Sequence, residues 1–240
     1  MALGLFSIIQ TRSAPVVVVP VSPHKCAFCE NLSQDFRSHS VCTCCGKPQP
    51  VGRSPDLQNE DFFAVLGVPR KFQQNLKDLQ KHYYELSRLL HPDRFSTAPS
   101  EVKQLSLERM SWVNQAYAIL SNPSRLREYL LDKEGYGEKN NPSAPPLELA
   151  EAWFEIQDLL LEDPAAAQTQ LVAFEEQIHQ LIEGADRRLF VLEKSYDIEN
   201  SRTLLEKMSH EFRLKSYLMS MKKDVEKKNL ERIKKNANSD

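Results

Sequence analysis

Four cysteines carry the clearest chemistry in this chain. Cys26 and Cys29 form one Cys-x2-Cys pair, Cys42 and Cys45 form another, and twelve residues separate the pairs. Each pair makes a tight turn that aims two sulfurs at one point, and two such knuckles have the spacing of a metal site. Four thiolates in a tetrahedron suit zinc in a closed, structural site. An iron–sulfur cluster on the same cysteines is the alternative. A segment this short has almost no core and would depend on the metal to fold. All five cysteines fall between residues 26 and 45, so Cys44 is surplus. It could replace Cys42 or Cys45, although only those two keep a two-residue gap. His24 and His39 are further candidate ligands, more simply read as satisfied or solvated side chains. No position is visibly left open with a base beside it, which argues against catalytic zinc.

A second constellation is His91-Pro92-Asp93, in the polar link between two amphipathic helical patterns. Leu76, Leu79, Tyr83, Leu86 and Leu90 recur at three- and four-residue steps, one stripe of a 3.6-residue repeat. Lys77, Lys81 and Arg88 project roughly opposite. Pro92 ends the pattern, because proline disfavours helical geometry at the residue before it. The return helix begins near Ser100-Glu101, with acid in its first turn. Val102, Leu105, Trp112, Val113, Ala116 and Leu120 share its inner face. Arg109 falls inside that face, and nothing in the sequence accounts for it. Asn122-Pro123 reads as a cap followed by proline at the first position of a further short helix, carrying Leu126, Tyr129 and Leu130. Upstream, Asp61 to Val68 reads as one or two helical turns ended by Gly67. The link would present an imidazole and a carboxylate at the end of a positive ridge. That suits an acidic groove on a partner, with opposite fields steering encounter.

These residues resemble a J-domain from about Asp61 to Leu131. Asp61-Phe62-Phe63-Ala64-Val65-Leu66-Gly67-Val68 is similar to the family's opening segment. His91-Pro92-Asp93 is similar to its signature tripeptide, and Val113 to Leu120 to its third helix. The resemblance implies a four-helix domain that stimulates ATP hydrolysis by a DnaK-type chaperone. It also implies that Lys77, Lys81, Arg88, His91, Pro92 and Asp93 touch that chaperone. These residues do no chemistry on a substrate, so the chain reads as a non-enzyme. A reducing compartment, where J-domains work, disfavours disulfides among the cysteines.

The carboxy-terminal half is helical. Gly135 to Pro146 is a linker by composition. Leu149, Ala152, Trp153, Ile156 and Leu160 mark one helix, and Asp163-Pro164 a stop and a new start. A long apolar stripe runs from Leu171 to Tyr196. A break near Asp197–Asn200 leads to a last helix with Leu204, Leu205, Met208, Leu214, Leu218, Met221 and Val225. Three such helices can close a small antiparallel bundle. A J-domain followed directly by a three-helix bundle, the passage Arg127 to Leu131 and the preceding knuckles resemble the HscB family, J-type co-chaperones of iron–sulfur cluster biogenesis. That resemblance implies two partners, a DnaK/HscA-type ATPase and an IscU-type scaffold protein. It implies scaffold contacts at Phe154, Glu155, Asp158, Glu162, Tyr217 and Leu218. An exposed aromatic beside acids is a plausible partner anchor; equally, Phe154 could pack against the linker or the J-domain. Alanine and glutamate stand on the first bundle helix where the family tends to be apolar, so the client could differ.

Size and charge agree with this division. The chain has 240 residues, 41% hydrophobic and 27% charged, enough for two or three small domains. A net charge of −2, from 31 basic and 33 acidic residues, argues against a nucleic-acid partner. No stretch alternates as a strand would, and the run of valines before Pro20 is too short to span a membrane. The expected architecture is all-α, preceded by the metal knuckles. Its parts are a loose extension over 1–22, a metal segment over 23–50, a J-domain over 58–134, a linker over 135–146, a bundle over 147–228 and a fraying tail over 229–240. The expected setting is the bacterial cytoplasm, with the mitochondrial matrix as the alternative.

Overall fold

The computed structural model describes residues 24–35, 37, 40–50, 61–137 and 146–237. The expected extension over 1–22, His39 and linker residues 138–145 lie outside the described residues. Among the described residues, seven α-helices follow a small knuckle segment: α1 (Phe62–Leu66), α2 (Leu76–Leu90), α3 (Ser100–Leu120), α4 (Pro123–Lys133), α5 (Leu147–Glu162), α6 (Pro164–Glu199) and α7 (Arg202–Ala237). A 3-10 turn, Pro92–Phe95, lies between α2 and α3. Among the described residues, no helix is long and apolar enough to cross a membrane. Two compact units partition the chain: Met1–Pro69 with Gln80–Ala116, and Arg70–Leu79 with Tyr117–Asp240.

In the first unit, α1 starts at Asp61, whose carboxylate accepts from the Phe63 N–H at 3.2 Å. It stops at Gly67, which takes a left-handed φ of 63° and returns its N–H to the preceding turn. Phe62, Phe63, Val65, Leu66, Leu86, Leu90, Val113 and Ala116 are buried, and the Phe62 and Trp112 rings meet at 5.6 Å. The knuckle segment adds β1 (His24–Lys25) and β2 (Leu32–Ser33), an antiparallel pair pairing His24 with Ser33 and Lys25 with Leu32. No strand was expected from alternation. These two are too short to show any and exist because the first knuckle folds the chain back on itself.

In the second unit, α5, α6 and α7 form the antiparallel bundle. Its core includes Leu149, Trp153, Ile156, Phe174, Ile178, Leu218 and Val225, with the Trp153 and Phe174 rings stacked at 5.8 Å. Asp163 caps α6 by accepting from the Ala166 N–H at 3.0 Å. Asn200, at φ 50°, supplies the left-handed residue that ends α6. The last helix continues to Ala237, beyond residue 229 where fraying was expected. Met221 and Val225 are buried in the core and anchor its C-terminal half.

The compact units do not follow a J-domain/bundle boundary near residue 134. Segment 70–79 and α4 share a unit with α6. Arg127 and Glu193, both almost fully buried, pair at 2.5 Å, and Gln73 Nε2 donates to the same carboxylate at 2.7 Å. Asp197 accepts from the Phe72 and Gln73 backbone N–H groups at 2.8 and 2.9 Å. Phe72 meets Tyr196 edge-on at 5.4 Å.

Candidate functional site

The two knuckles are built alike. In the first, the Phe28 and Cys29 N–H groups donate to Cys26 Sγ at 3.3 and 3.4 Å, and Glu30 N–H donates to the Cys26 carbonyl. In the second, the Cys44 and Cys45 N–H groups donate to Cys42 Sγ at 3.3 and 3.4 Å, and Gly46 N–H donates to the Cys42 carbonyl. Glu30 and Gly46 both take the left-handed conformation, at φ 57° and 70°. Glycine at 46 adopts it freely, whereas Glu30 does so at some strain.

The correspondence resolves the surplus cysteine. Cys44 occupies the place of Phe28, inside the knuckle turn, and is exposed. Among the described residues, the cluster able to hold a metal is Cys26, Cys29, Cys42 and Cys45, with all four sulfurs within 4.8 Å of one another. His24 stands outside it, in β1.

The cage fits one ion. A Zn–S bond of about 2.3 Å sets the edges of a thiolate tetrahedron at about 3.8 Å. Cys26 to Cys45 and Cys29 to Cys42 both measure 3.7 Å. A [2Fe–2S] cluster puts two thiolates on each iron and a [4Fe–4S] cluster one on each, and either spreads some of its four sulfurs wider than the 4.8 Å that encloses this set.

The cage is also polarised. Burial raises the Cys26 thiol, but the Cys29 and Phe28 backbone N–H groups and the neighbouring thiols outweigh it and bring it down to about 6. Burial pushes Cys45 up, the Lys47 N–H opposes, and the surrounding thiols leave it at about 12. Metal entry would displace the protons held among the sulfurs.

The tripeptide lies at an open bend. His91, Pro92, Asp93 and Arg94 are exposed, and buried Phe95 anchors the turn behind them. His91 Nδ1 lies 3.5 Å from an Asp93 carboxylate oxygen and accepts from the Asp93 N–H at 3.4 Å. Ser106 fixes the approach by donating to the Leu90 carbonyl at 2.6 Å. Tyr84, Ser87, Arg88 and Arg94 border a shallow hollow beside His91. Lys77, Lys81 and Arg88 are exposed on α2. Helical geometry turns these three to within about 40° of one another around the axis.

Residues 61–129 match the DnaJ domain family. The co-chaperone protein HscB homolog of Aromatoleum aromaticum is 38% identical over 82 residues, covering 34% of this chain and 46% of that protein. The chain thus spans about half the length of the curated relative it matches. The crystal structure of human co-chaperone protein HscB shares the fold, with a TM-score of 0.58 at 21% identity over 86% of this chain and 98% of that one. Residues 61–129 thus belong to the DnaJ domain family, and the chain shares the fold of the human HscB co-chaperone. Chaperone HscB from Vibrio cholerae is a further structural relative, with a TM-score of 0.49 at 20% identity over 71% of this chain and 98% of that chain.

On α5, Phe154 is 65% exposed and Leu161 85% exposed. Glu155, Asp158 and Glu162 are exposed beside them. Phe154, Asp158, Leu161 and Glu162 fall at steps of four, seven and eight, one stripe opposite Trp153 and Ile156. Among the described residues, Phe154 keeps most of its surface in water, while linker residues 138–145 lie outside them. On α7 the expectation needs correction. Leu218 is fully buried in the bundle core and presents nothing to a partner. Tyr217 is half-buried against that core, and burial pushes its phenol pKa up. At that turn of α7, the apolar stripe and the expected contact pair overlap, and core packing takes the leucine.

Two residues at the knuckles were not legible beforehand. Arg109, 1% exposed, donates from Nε to the Gln49 carbonyl at 2.6 Å and from Nη2 to the Pro50 carbonyl at 2.5 Å. Its place on an apolar face was the available signal. Gln49, fully buried, carried none.

Proposed function

We propose that this chain is a non-enzymatic J-type co-chaperone of iron–sulfur cluster biogenesis. Its J-domain engages a DnaK/HscA-type chaperone and stimulates ATP hydrolysis, while its bundle holds an IscU-type scaffold protein. The observation that carries this reading is the exposed His91-Pro92-Asp93 bend at the end of a helix bearing Lys77, Lys81 and Arg88. The basic ridge steers an acidic partner surface toward the bend. There, Asp93 offers a carboxylate and His91 a ring nitrogen beside the hollow bordered by Arg88 and Arg94. Scaffold binding is assigned to the α5 stripe of Phe154, Asp158, Leu161 and Glu162, flanked by Glu155. Covalent continuity then raises the effective concentration of scaffold at the chaperone.

Cys26, Cys29, Cys42 and Cys45 would hold one zinc ion, a choice supported by sulfur spacings that match a single tetrahedral ion. The ion supplies cross-linking of the two knuckles and no step of a reaction.

The test pairs two measurements on the full chain. His91→Gln should abolish stimulation of the chaperone's ATPase and leave scaffold capture intact. Full stimulation by the variant would refute the docking role. Capture by the bundle of a client other than the scaffold would keep the J-protein and replace its cargo, as alanine and glutamate on α5 allow.

A further inference from the structure

The knuckles are tied to the helices that carry the tripeptide, and Gln49 is the knot. Its side-chain carbonyl accepts from the Ala27 N–H of the first knuckle at 3.0 Å. Its side-chain amide donates to the Lys47 carbonyl of the second at 3.0 Å and to Cys26 Sγ at 3.5 Å. Its own backbone carbonyl accepts from Arg109 on α3. One turn earlier on α3, buried Ser106 holds the carbonyl of Leu90, the residue before His91. A second connection lies alongside, where Cys42 and Thr43 line one cleft with Leu89 and Arg94, which bracket the tripeptide.

The physical consequence follows from what each link needs. The knuckles have little apolar core beyond Cys26, Val41 and Cys42, so without an ion their turns are not held together. The Gln49 and Pro50 carbonyls then lose their fixed positions. Arg109 keeps a buried charge whose bonds to these two carbonyls are then weakened, and weakening the bonds of a buried charge is unfavourable. The α3 turn of Ser106 and Arg109 loosens, and with it the anchor on Leu90.

We propose that metal loading of the four-cysteine cage stiffens the His91-Pro92-Asp93 bend through Gln49 and Arg109, which act as positioning residues for it. The proposal rests on the metal reading of the cage. It links an outer-shell residue of the ion to the loop that meets the chaperone, without either residue touching the chaperone.

Hydrogen exchange on the full chain tests it, with bound zinc counted by elemental analysis in every sample. In the wild type, stripping zinc with a chelator should speed amide exchange at Leu90, His91, Asp93 and Arg94 at least tenfold. Arg109→Met should still bind one zinc per chain, yet exchange at the bend should be fast and indifferent to zinc. Gln49→Met keeps the backbone carbonyl and loses the side-chain contacts, so its zinc affinity should fall about 10- to 100-fold. A wild-type bend that exchanges equally with and without verified zinc would overturn the link even if Arg109→Met failed to fold. Unchanged zinc affinity in Gln49→Met would remove that residue from the path. A wild type that binds no zinc would overturn the metal reading itself, and the link with it.

Discussion

Replacing Phe154 by alanine separates partner binding from folding. A phenylalanine side chain offers about 150–250 Å² for burial, and Phe154 leaves 65% of its surface in water. About 100–160 Å² therefore remains to be covered by a partner, and at about 25 cal/mol per Å² that is about 2.5–4 kcal/mol. Ordering the side chain in the complex takes back about 1 kcal/mol. The net effect of about 1.5–3 kcal/mol is a loss of roughly 10- to 150-fold in affinity for the scaffold. The free protein should not notice: the site is an exposed helix position, and alanine is the better helix former. Isothermal titration calorimetry of Phe154→Ala against the scaffold, beside a thermal melt of the free chain, reads both quantities. Unchanged affinity would refute the assignment of Phe154 as anchor. A melting temperature lowered by several degrees would show a packing role instead.

Glu193→Leu strands the buried Arg127 guanidinium and should cost about 3–5 kcal/mol, or about 6–20 °C in melting temperature. Adding Arg127→Met should recover most of that loss, and a double variant no more stable than the single would refute the pairing. In the zinc-loaded chain a thiol reagent should modify Cys44 alone, with the four cage cysteines reacting only after chelation; five fast thiols in the loaded form would contradict the cage. Burial raises the pKa of Asp197 against the opposing Gln73 and Phe72 N–H groups. The protonated form is thus the better tolerated one. The group's stabilising contribution is full below the ordinary carboxylate range and is lost as pH rises through the raised value. NMR titration of the Asp197 carboxyl should show that elevated midpoint, and Asp197→Asn should flatten the corresponding stretch of the stability–pH curve.

Local features were legible because each is written in neighbouring residues. The apolar period of α2 marks the helix from Leu76 to Leu90, and the proline after His91 marks its end. Asn122 caps α4 as its side chain and the following proline require. The two Cys-x2-Cys turns identify four sulfurs, and Gly67 the stop of α1. Tertiary structure alone decided what depends on residues far apart in the chain. Arg109 meets carbonyls sixty residues away, Arg127 meets a carboxylate sixty-six residues away, and no local pattern encodes such a meeting. The same holds for Leu218. Its helical period places it equally well on a partner-facing surface or in a core, and only the packing of α5 and α6 against α7 removes it from water. Cys44 was excluded from the cage by the matching geometry of two turns, which spacing could only suggest.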